Sequence, residues 1–309
     1  MKILVTGGAG FIGSHIVDAY LNAGHQVVIV DNLATGQEKN INPLAKFYKI
    51  DIRAKELKEI LAQEQPEIVS HQAAQVDIRR SVLDPCYDAD VNIIGSLNLF
   101  EASVNAQVKH IIFASTGGAV YGEQNYFPAD ENHPLNPMSP YGIAKLAIEK
   151  YLAYYKEVYG ITYTALRYGN VYGPRQNPKG EAGVIAIFCE QMLGGKTPII
   201  NGDGRQTRDY VYVSDVVEAN KLALINYKDA SCNQAFNVGT SLETDVVAIF
   251  ETLQTVLKSS FPQTYGLAKP GEQRRSVLNI DKAKEKLAWQ PKIDLSTGFK
   301  QTLDFYLKQ

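Results

Sequence analysis

The sequence predicts an α/β protein built around a doubly wound parallel sheet, with a smaller α/β lobe towards its C-terminus. The short apolar run at residues 2–6 leads directly into a glycine-rich turn and then into a segment with apolar residues at helical spacing. Short apolar runs and longer segments of helical periodicity continue to alternate as far as the middle of the chain. Such repeats favour a parallel sheet, in which ligands bind at the carboxyl ends of the strands.

Composition and charge are those of a globular protein without an extended charged surface. Of the 309 residues, 45% are hydrophobic and 21% are charged, and the formal net charge is -2. This balance argues against nucleic acid or an anionic membrane as a partner. No apolar run approaches the roughly 18 residues of a membrane span, and the first residues are expected to form a core strand rather than a signal peptide.

The cysteines and histidines indicate neither a disulfide framework nor a metal site. The three cysteines are far apart and show no CxxC spacing, so we expect reduced thiols and a cytoplasmic protein. The five histidines are scattered, without a metal-binding motif such as HExxH, so we expect no bound metal. These residues are Cys86, Cys189, Cys232, His15, His25, His71, His110 and His133.

The glycine-rich turn after the first strand has the features of a dinucleotide-binding motif. Gly7, Gly10 and Gly13 form a G-x-x-G-x-x-G pattern between a predicted strand and a predicted helix. Without side chains the backbone can turn tightly and approach a pyrophosphate, whose negative charge is attracted by the helix N-terminus. A tight structural loop is the alternative interpretation of the glycines taken alone.

An aspartate at the end of the second predicted strand, residues 27–30, indicates which dinucleotide binds. Asp31 lies 18 residues beyond Gly13. A carboxylate at this place can accept hydrogen bonds from both ribose hydroxyls, and it repels a 2′-phosphate. The pattern therefore favours NAD over NADP.

Further strand ends carry residues suited to the same cofactor. Strands are predicted at residues 47–50, 67–71 and 109–115, and helices at 54–64 and 84–106. Asp51 follows the first of these strands, where it is expected near the adenine amino group. The small residues Ala73 and Ala74 follow the second strand and let the cofactor pass close to the backbone. Asn92 lies in an apolar stretch of the longer helix, and its sequence context suits a satisfied core amide as well as a functional role.

A tyrosine and a lysine open the predicted helix at residues 139–160. Tyr141 and Lys145 are four residues apart and lie on one helical face, about one turn from each other. A phenol, with an ordinary pKa of about 10, is a poor base at neutral pH, but a neighbouring ammonium favours the phenolate. Ser115 and Thr116, at the end of the preceding strand, converge on this pair by topology. Together these groups indicate an acid–base site that acts on an alcohol.

Seven sequence motifs spread over the chain resemble those of one enzyme family. They are TGGAGFIGSH (6–15), ASTGGAVYG (114–122), SPYGIAK (139–145), RYGNVYGPRQ (167–176), GEAGVIAIF (180–188), RDYVYVSDV (208–216) and FNVG (236–239). By these motifs the chain resembles the extended short-chain dehydrogenase/reductase family, and within it the NAD-dependent epimerases that act at C4 of nucleotide sugars. The resemblance implies a Rossmann fold, a permanently bound NAD, a UDP-sugar substrate and a homodimer.

The resemblance also assigns roles to residues. It implies Tyr141 as the catalytic base, Lys145 as its activator and Thr116 as the supporting hydroxyl. The implied cofactor-binding residues are Gly7, Gly10, Phe11, Ile12, Gly13, Asp31, Asn32, Thr35, Gly36, Asp51, Ile52, Ala73, Ala74, Gln75, Asn92, Ser115, Tyr141, Lys145, Tyr168 and Val171. The implied substrate-binding residues are Thr116, Tyr141, Asn170, Val184, Arg208, Lys269 and Arg274. Lys269 stands where many epimerases have a phosphate-binding arginine, so Arg274 competes with it for that role.

The implied reaction oxidises the sugar's 4-hydroxyl to a 4-keto intermediate, which is then reduced from its other face. A dehydratase or decarboxylase needs a further acid and base directly after Thr116, where Gly117 and Gly118 stand instead. An NADPH-dependent reductase is disfavoured by Asp31. A non-catalytic dinucleotide-binding protein is disfavoured by the retained tyrosine–lysine pair. Epimerases of UDP-glucuronate and of UDP-N-acetylhexosamines remain as alternatives.

The side chain at position 276 bears on the choice of substrate. Ser276 lies where a bulky tyrosine restricts some epimerases of the family to hexoses without an acetamido group. A small residue leaves room for that group, so we expect turnover of UDP-hexoses and of UDP-N-acetylhexosamines.

Two lobes are expected, with the sugar in the cleft between them. The predicted dinucleotide-binding domain comprises residues 1–170 with a returning segment at about 208–240, and the predicted substrate-binding lobe comprises residues 171–207 and 241–309. The apolar faces of the two long predicted helices, the second of them rich in tyrosine, exceed what the sheet can bury. An aromatic stripe of this kind is most often part of the core, but members of the family that the chain resembles commonly pair these helices, so the resemblance implies that they form the interface of the homodimer.

Overall fold

A seven-stranded sheet forms the centre of the computed structural model, which describes residues 1–178, 183–229, 232–268 and 273–308. The strands are β1 (Lys2–Thr6), β2 (Gln26–Asp31), β3 (Lys46–Lys49), β4 (Ile68–His71), β5 (His110–Thr116), β6 (Thr162–Tyr168), β7 (Asn170–Tyr172), β8 (Ile199–Asn201), β9 (Thr207–Arg208), β10 (Tyr210–Tyr212), β11 (Gln234–Val238), β12 (Thr244–Asp245) and β13 (Thr264–Gly266). The α-helices are α1 (Phe11–Asn22), α2 (Leu57–Glu64), α3 (Ile78–Leu83), α4 (Pro85–Ala89), α5 (Gly95–Asn105), α6 (Pro140–Tyr159), α7 (Val184–Leu193), α8 (Val213–Ile225), α9 (Val246–Leu257), α10 (Asp281–Leu287) and α11 (Leu295–Tyr306).

The central sheet has the order β11–β6–β5–β4–β1–β2–β3, and every neighbouring pair of strands is parallel. The chain runs outwards from β1 to β3 and then crosses back to continue from β4 on the other side of β1. This reversal opens a crevice between β1 and β4 at the carboxyl ends of the strands. The doubly wound parallel fold predicted from the sequence is confirmed.

Apolar side chains cover both faces of this sheet because alternate residues of each strand point to opposite sides. In β1, Ile3 and Val5 pack in the apolar cluster that contains residues of α1 and α8. Leu4 packs in a second cluster, with residues of α2, α5 and α6. All three side chains are fully buried. A strand covered on both faces is a continuous apolar run in the sequence, which is why β1 is predictable.

A third apolar cluster lies outside the central sheet and forms the core of the C-terminal part of the chain. Phe188, Phe250 and Phe299, from α7, α9 and α11, are buried in it. Three two-stranded sheets, β7–β10, β9–β12 and β8–β13, belong to the same part of the molecule. By contrast, β11 lies at the edge of the central sheet beside β6, within the returning segment predicted at about 208–240.

The helix predicted at residues 84–106 is present as one continuous helical segment over residues 85–105, made of α4, a π-helical stretch at Asp90–Ile94, and α5. The sequence prediction omits the short helix α3, which precedes this segment. Pro85 occupies the first turn of α4, and the Asp84 carboxylate accepts a hydrogen bond from the Tyr87 N–H at 2.9 Å. These capping residues start a new helix. π-Helical stretches within helices occur frequently at functional sites.

The sequence prediction also omits β6, which lies between β5 and β11. Its residues 162–168 include two threonines, two tyrosines and an arginine, so they lack a continuous apolar run. Specific partners accommodate the polar groups: the hydroxyls of Thr162 and Thr164 lie 2.8 and 3.1 Å from the two ring nitrogens of His110. Hydrogen bonding in addition to hydrophobic packing therefore stabilises this strand.

The described part of the chain contains neither a membrane-spanning helix nor a cluster of metal-binding side chains. None of its helices is long and apolar enough to cross a membrane. Likewise, within the described ranges no group of three or more histidine, cysteine, aspartate or glutamate side chains is arranged to hold a metal ion.

A buried ion pair connects α6 to β6. Arg167 donates from Nε and Nη2 to the two carboxylate oxygens of Glu149, at 2.9 and 2.6 Å. The Ser115 hydroxyl donates to the same carboxylate at 2.5 Å, and Arg167 also donates to the Tyr121 hydroxyl at 2.9 Å. Side-chain exposure is only 5% for Arg167 and 8% for Glu149. Removing one partner would therefore leave an uncompensated charge in the interior.

Replacing Arg167 by leucine is expected to lower the free energy of unfolding by about 3–5 kcal/mol, because Glu149 stays buried without its cation. Urea denaturation followed by circular dichroism measures this change. The control is Lys109→Met, which removes an exposed ion pair with Glu67 and is expected to cost less than about 1 kcal/mol. A loss in Arg167→Leu no larger than that of the control would contradict the assigned role of the pair.

Candidate active site

The turn between β1 and α1 leaves no space for side chains. Gly7 has a φ of +69°, and a Cβ on it would lie 2.7 Å from the backbone nitrogen of Ala73. A Cβ on Gly13 would overlap the carbonyl oxygen of Gly7. The first turn of α1 therefore rests directly on the glycine turn, and the open backbone at the helix N-terminus forms a cradle for an anion. This cradle fits the pyrophosphate of a dinucleotide.

Asp31, at the end of β2, is held in one orientation by backbone hydrogen bonds. Its Oδ2 accepts from the Ala9 N–H at 3.0 Å, and its Oδ1 accepts from the Leu33 N–H at 2.8 Å. Burial raises the pKa of the Asp31 carboxyl, and these two N–H donors lower it. Each oxygen keeps a lone pair for a ribose hydroxyl. Gly36 lies against this carboxylate, since a Cβ there would approach Oδ1 to 2.8 Å.

Asp51, which follows β3, is fixed by an ion pair. Arg53 donates to its two carboxylate oxygens from Nε at 2.9 Å and from Nη2 at 2.8 Å, and Asn32 Nδ2 donates at 2.8 Å. Hydrogen bonds from Arg53, the largest influence, hold the pKa of Asp51 well below its usual range. Asp51 is therefore a fixed carboxylate at the rim of the crevice.

Asn92 lies behind the crevice wall rather than in it. Its Oδ1 accepts from the Gln75 N–H at 2.8 Å, and its Nδ2 donates to the Gln75 carbonyl at 2.9 Å. The side-chain amide thus forms with the loop after β4 the same pair of hydrogen bonds that the backbone of a neighbouring strand would form. Ala73, Ala74 and Gln75 of that loop line the crevice. Asn92 therefore shapes the wall from behind.

A buried histidine also stabilises the wall of the crevice. His71 Nδ1 lies 2.7 Å from the Thr6 hydroxyl, and Nε2 lies 2.9 Å from the Ser96 hydroxyl. Since the Ser96 hydroxyl donates to the Asn92 carbonyl at 2.5 Å, it accepts from His71 Nε2–H. Burial, together with the nearby Lys145 ammonium, lowers the pKa of His71 to about 3. The ring is therefore neutral and serves to connect β1 and β4 to the helical wall.

The N-terminus of α6 carries the tyrosine–lysine pair. Ser139 caps this helix, its hydroxyl accepting from a backbone N–H of the first turn at 3.1 Å, and Pro140 begins it. Tyr141 therefore lies in the first turn, where the helix dipole favours negative charge. Lys145 is only 3% exposed. Its Nζ donates to the Ala114 carbonyl at 2.7 Å and lies 5.8 Å from the centre of the Tyr141 ring.

The two hydroxyl residues at the end of β5 have different surroundings. The Ser115 hydroxyl donates to the buried Glu149 carboxylate at 2.5 Å, although Ser115 also contributes to the crevice lining. Thr116 is partly exposed. A Cβ on Gly118 would lie 3.8 Å from Thr116 Oγ1 and 3.6 Å from Asn170 Oδ1, so these two polar groups flank the glycine backbone. This geometry favours Thr116 over Ser115 as the hydroxyl that meets a ligand.

Most of the residues expected to bind the cofactor line one cleft of about 360 Å³. The expected residues that line it are Gly7, Gly10, Phe11, Ile12, Gly13, Asp31, Asn32, Thr35, Asp51, Ile52, Ala73, Ala74, Gln75, Ser115, Tyr141, Lys145 and Tyr168. The expected site residues Gly36, Asn92, Thr116 and Val171 are outside this lining. Val171 packs against the apolar clusters instead. The tyrosine–lysine pair and the glycine turn therefore share one cleft.

The lining also includes residues that the sequence prediction omits, among them Arg80 and Tyr87. The Arg80 guanidinium lies 4.2 Å from the centre of the Tyr87 ring, a stabilising cation–π contact. Arg80 belongs to α3, which the sequence prediction omits, and Tyr87 belongs to α4, within the helix predicted at residues 84–106. The sequence signal that indicates this region is the arginine pair Arg79-Arg80 directly after the loop that follows β4.

A second cavity, of about 180 Å³, brings together three residues expected to bind substrate, Asn170, Val184 and Arg208. Arg79 joins them from α3, and the sequence prediction omits it. The other lining residues are Ile187, Phe188, Ile199, Asn201, Gln206, Tyr210 and Val246. Apolar side chains and guanidinium groups thus occur in one cavity, which suits a ligand with an anionic part.

Two further cations are expected to bind substrate, and the one that the structure describes, Arg274, is not among the residues that line this cavity. Lys269 lies outside the described residues. Arg274 donates to both carboxylate oxygens of Asp203 at 2.9 Å, in an exposed ion pair. Ser276, expected to leave room for an acetamido group, is buried with 2% exposure.

Comparison with known proteins covers nearly the whole chain. Residues 3–239 match the model of the NAD dependent epimerase/dehydratase family. The structure of a UDP-glucose 4-epimerase from Thermotoga maritima, with UDP-glucose, is 48% identical with a TM-score of 0.97, and the match covers 100% of this chain and 99% of that chain. A UDP-glucose 4-epimerase from Thermus thermophilus, in complex with NAD, is 42% identical with a TM-score of 0.93, and 99% of each chain is covered.

A third similar structure differs in its sugar. It is a UDP-N-acetylglucosamine 4-epimerase from Methanobrevibacter ruminantium, in complex with UDP-N-acetylmuramic acid. It is 35% identical to this chain with a TM-score of 0.93, and the match covers 100% of this chain and 98% of that one. The resemblance inferred from the sequence motifs is confirmed, and the chain belongs to the NAD-dependent epimerase/dehydratase family.

Proposed function

We propose that the protein interconverts UDP-glucose and UDP-galactose by epimerisation at C4. The observation that carries this proposal is that Tyr141 and Lys145 line the same cleft as the glycine turn, while a separate cavity holds Arg208 and Asn170. An acid–base pair beside a dinucleotide cradle suits oxidation of an alcohol. Similar structures described as UDP-glucose 4-epimerases support a UDP-sugar as the substrate.

NAD fits the first cleft by two features of the structure. The backbone of Gly7, Gly10 and Gly13 lines this cleft at the N-terminus of α1, where it suits the pyrophosphate. Asp31 suits the ribose hydroxyls and repels a 2′-phosphate. Once bound, NAD supplies an acceptor for the hydride of the sugar's C4 carbon and gives that hydride back in the second half of the reaction.

Tyr141 is the proposed base for the sugar's 4-hydroxyl. Its phenolate accepts the hydroxyl proton during oxidation and returns it during reduction. Lys145, buried and hydrogen-bonded to Ala114, supplies the positive charge that favours the phenolate. Thr116 is the proposed hydroxyl that orients the sugar oxygen. The 4-keto sugar must turn over between the two half-reactions to expose its other face.

The segment after Thr116 favours epimerisation over elimination of water. Elimination requires a further acid and base, and Gly117 and Gly118 carry no group that can transfer a proton. Space is also restricted at Gly117, because a Cβ there would lie 2.5 Å from Leu278 Cδ1. An acidic side chain at this position would displace Leu278 from its buried site.

The nucleotide diphosphate is proposed to bind where the two lobes meet, because the cavity that contains Asn170, Val184 and Arg208 takes its lining from both. We assign residues 1–170 and about 208–240 to the dinucleotide-binding domain, and residues 171–207 and 241–309 to the substrate lobe. The separate apolar core of α7, α9 and α11 supports this division. Arg208 and Asn170 are the proposed diphosphate ligands, since a guanidinium group donates two parallel hydrogen bonds to phosphate oxygens.

A cytoplasmic location is proposed from the cysteines. Cys86, Cys189 and Cys232 are free thiols. Burial raises the pKa of Cys189 to about 12, which makes this thiol unreactive. Reduced cysteines suit a compartment in which thiols are kept reduced.

A homodimer through α6 is proposed from its exposed apolar side chains. Ile143, Tyr151, Tyr154 and Val158 are 53%, 39%, 49% and 54% exposed, and their spacing places them on one face of the helix. Ile94, just before α5, is 54% exposed as well. An apolar helix face of this length is typical of a surface that another subunit covers. A second copy of the chain offers the same face in a two-fold arrangement.

Tyr141→Phe is expected to lower kcat by about 10²–10⁴-fold, because it removes the group that transfers the proton. Conversion of UDP-galactose to UDP-glucose in a coupled assay measures the rate, and cofactor absorbance checks that NAD is still bound. Tyr159→Phe, at the exposed end of the same helix, is the matched control and is expected to keep the wild-type rate. An unchanged rate in Tyr141→Phe would place the chemistry elsewhere.

We expect the protein to epimerise UDP-N-acetylglucosamine in addition to UDP-galactose, because Ser276 is small. In Ser276→Tyr, kcat/KM for UDP-N-acetylglucosamine is expected to fall at least about tenfold more than for UDP-galactose, since the ring takes the space of the acetamido group. NMR of the product's C4 configuration measures both reactions, and Ser276→Ala is the control. If wild type turns over UDP-galactose well but not UDP-N-acetylglucosamine, this expectation is wrong.

Sedimentation velocity at micromolar concentration is expected to show a dimer. The double variant Tyr154→Glu, Val158→Glu is expected to sediment as a monomer, because charges in an apolar interface are costly to desolvate. Leu267→Glu is the control: Leu267 is 92% exposed but lies outside α6, so its replacement should leave the dimer intact. A monomeric wild type would refute the proposed interface.

A further inference from the structure

The cavity of about 180 Å³ that contains Arg208 also contains a second cation, which has no role in the reaction proposed above. Arg79 lines it together with Arg208 and Asn170. Among the described residues of this lining, the charged side chains are the two arginines, and none is an aspartate or glutamate. Two positive charges in a cavity of about 180 Å³ favour a ligand that carries at least two negative charges.

At this cavity, the guanidinium N–H groups of Arg79 remain available as hydrogen-bond donors to a ligand. Its side chain is exposed, and its guanidinium forms no ion pair or hydrogen bond with another described residue. Arg80, by contrast, lies over the Tyr87 ring at 4.2 Å. Arg208 donates to the Thr207 carbonyl at 2.7 Å.

The backbone that carries Arg79 is fixed by the same loop that lines the cofactor cleft. The Asp77 carboxylate accepts from the N–H groups of Arg79 and Arg80 at 2.8 and 3.2 Å. Asp77 N–H donates to Gln75 Oε1 at 2.7 Å, and the backbone of Gln75 is bonded to Asn92. Successive helical side chains are about 100° apart, and accordingly Arg80 lines the cofactor cleft and Arg79 lines the other cavity.

We propose that Arg79 binds the sugar-bearing phosphate of the substrate diphosphate. This inference rests on the proposed function and names a further ligand of that site. Because α3 lines both cavities, it is the wall of the substrate cavity next to the cofactor cleft. The sugar has to reach Tyr141 in that cleft, so the phosphate bonded to the sugar is the one nearer α3. A guanidinium group there donates to two phosphate oxygens at once.

This placement predicts selectivity for a diphosphate over a monophosphate. UMP lacks the phosphate that Arg79 is assigned to bind, while UDP retains it. Arg208 and the apolar part of the cavity remain for the rest of the nucleotide in both ligands. Loss of the Arg79 cation should therefore weaken UDP binding and leave UMP binding unchanged.

Isothermal titration of the NAD-loaded protein with UDP and with UMP tests the assignment. Wild type is expected to bind UDP more tightly than UMP. Arg79→Gln is expected to bind UDP about 10–100-fold more weakly than wild type, since one charge-assisted hydrogen-bonding partner is lost, with UMP affinity unchanged. Arg79→Lys keeps a positive charge without the planar fork, so its UDP affinity is expected to fall between the two.

Lys58→Gln is the matched control, because it removes one positive charge from an exposed position on α2 and is expected to bind UDP like wild type. Thermal unfolding checks that each variant is folded. Equal losses for UDP and UMP in Arg79→Gln, or a UDP affinity equal to that of Lys58→Gln, would overturn the assignment. These titrations require no turnover. Failure of wild type to epimerise UDP-galactose would instead count against the proposed function, and the two failures are thereby distinguished.

Discussion

The buried ammonium of Lys145 is the constraint on which the rest of the active site depends. A charge with 3% exposure is costly unless hydrogen bonds and neighbouring groups compensate it. The Ala114 carbonyl at 2.7 Å and the face of the Phe113 ring at 4.7 Å supply part of this compensation. A phenolate on Tyr141, the proposed base, would supply more, so the interaction that stabilises Lys145 would also favour the reactive form of the tyrosine. Burial, and to a lesser extent this same positive charge, lowers the pKa of His71 and keeps its ring neutral.

The position of this pair is set by a third residue on the same helical face. Tyr141, Lys145 and Glu149 follow one another at intervals of four residues, so they form one stripe along α6. Glu149 is bonded to Arg167 of β6 and to Ser115 of β5. Rotation or sliding of α6 would break these buried contacts. The ion pair therefore fixes the helix that carries the tyrosine relative to the strands that end at the cleft.

Sequence reasoning succeeds where a residue's environment is local. The glycine turn and Asp31 belong to one strand–helix–strand unit, so their placement follows from spacing alone. Asn92 is ambiguous in the sequence, because its partner is the backbone of a separate loop. Ser115 is placed in the right strand, but its hydroxyl bonds Glu149, which is 34 residues away in sequence. Arg79 is missed because its direction depends on where the short helix α3 begins.

The position of Arg208, the proposed diphosphate ligand, depends on a second buried carboxylate. Asp209, next to Arg208, is 1% exposed and accepts four hydrogen bonds, from the N–H and hydroxyl of Thr240 and from the N–H groups of Ser241 and Leu278. Burial raises the pKa of Asp209, and these donors lower it. The Asp209 carbonyl accepts from the Asn170 N–H at 2.7 Å, so one residue fixes both proposed phosphate ligands. Glu149 and Asp209 thus anchor the proposed base and the proposed diphosphate site independently. In the proposed reaction the sugar turns over between these two sites, which requires both of them to stay fixed.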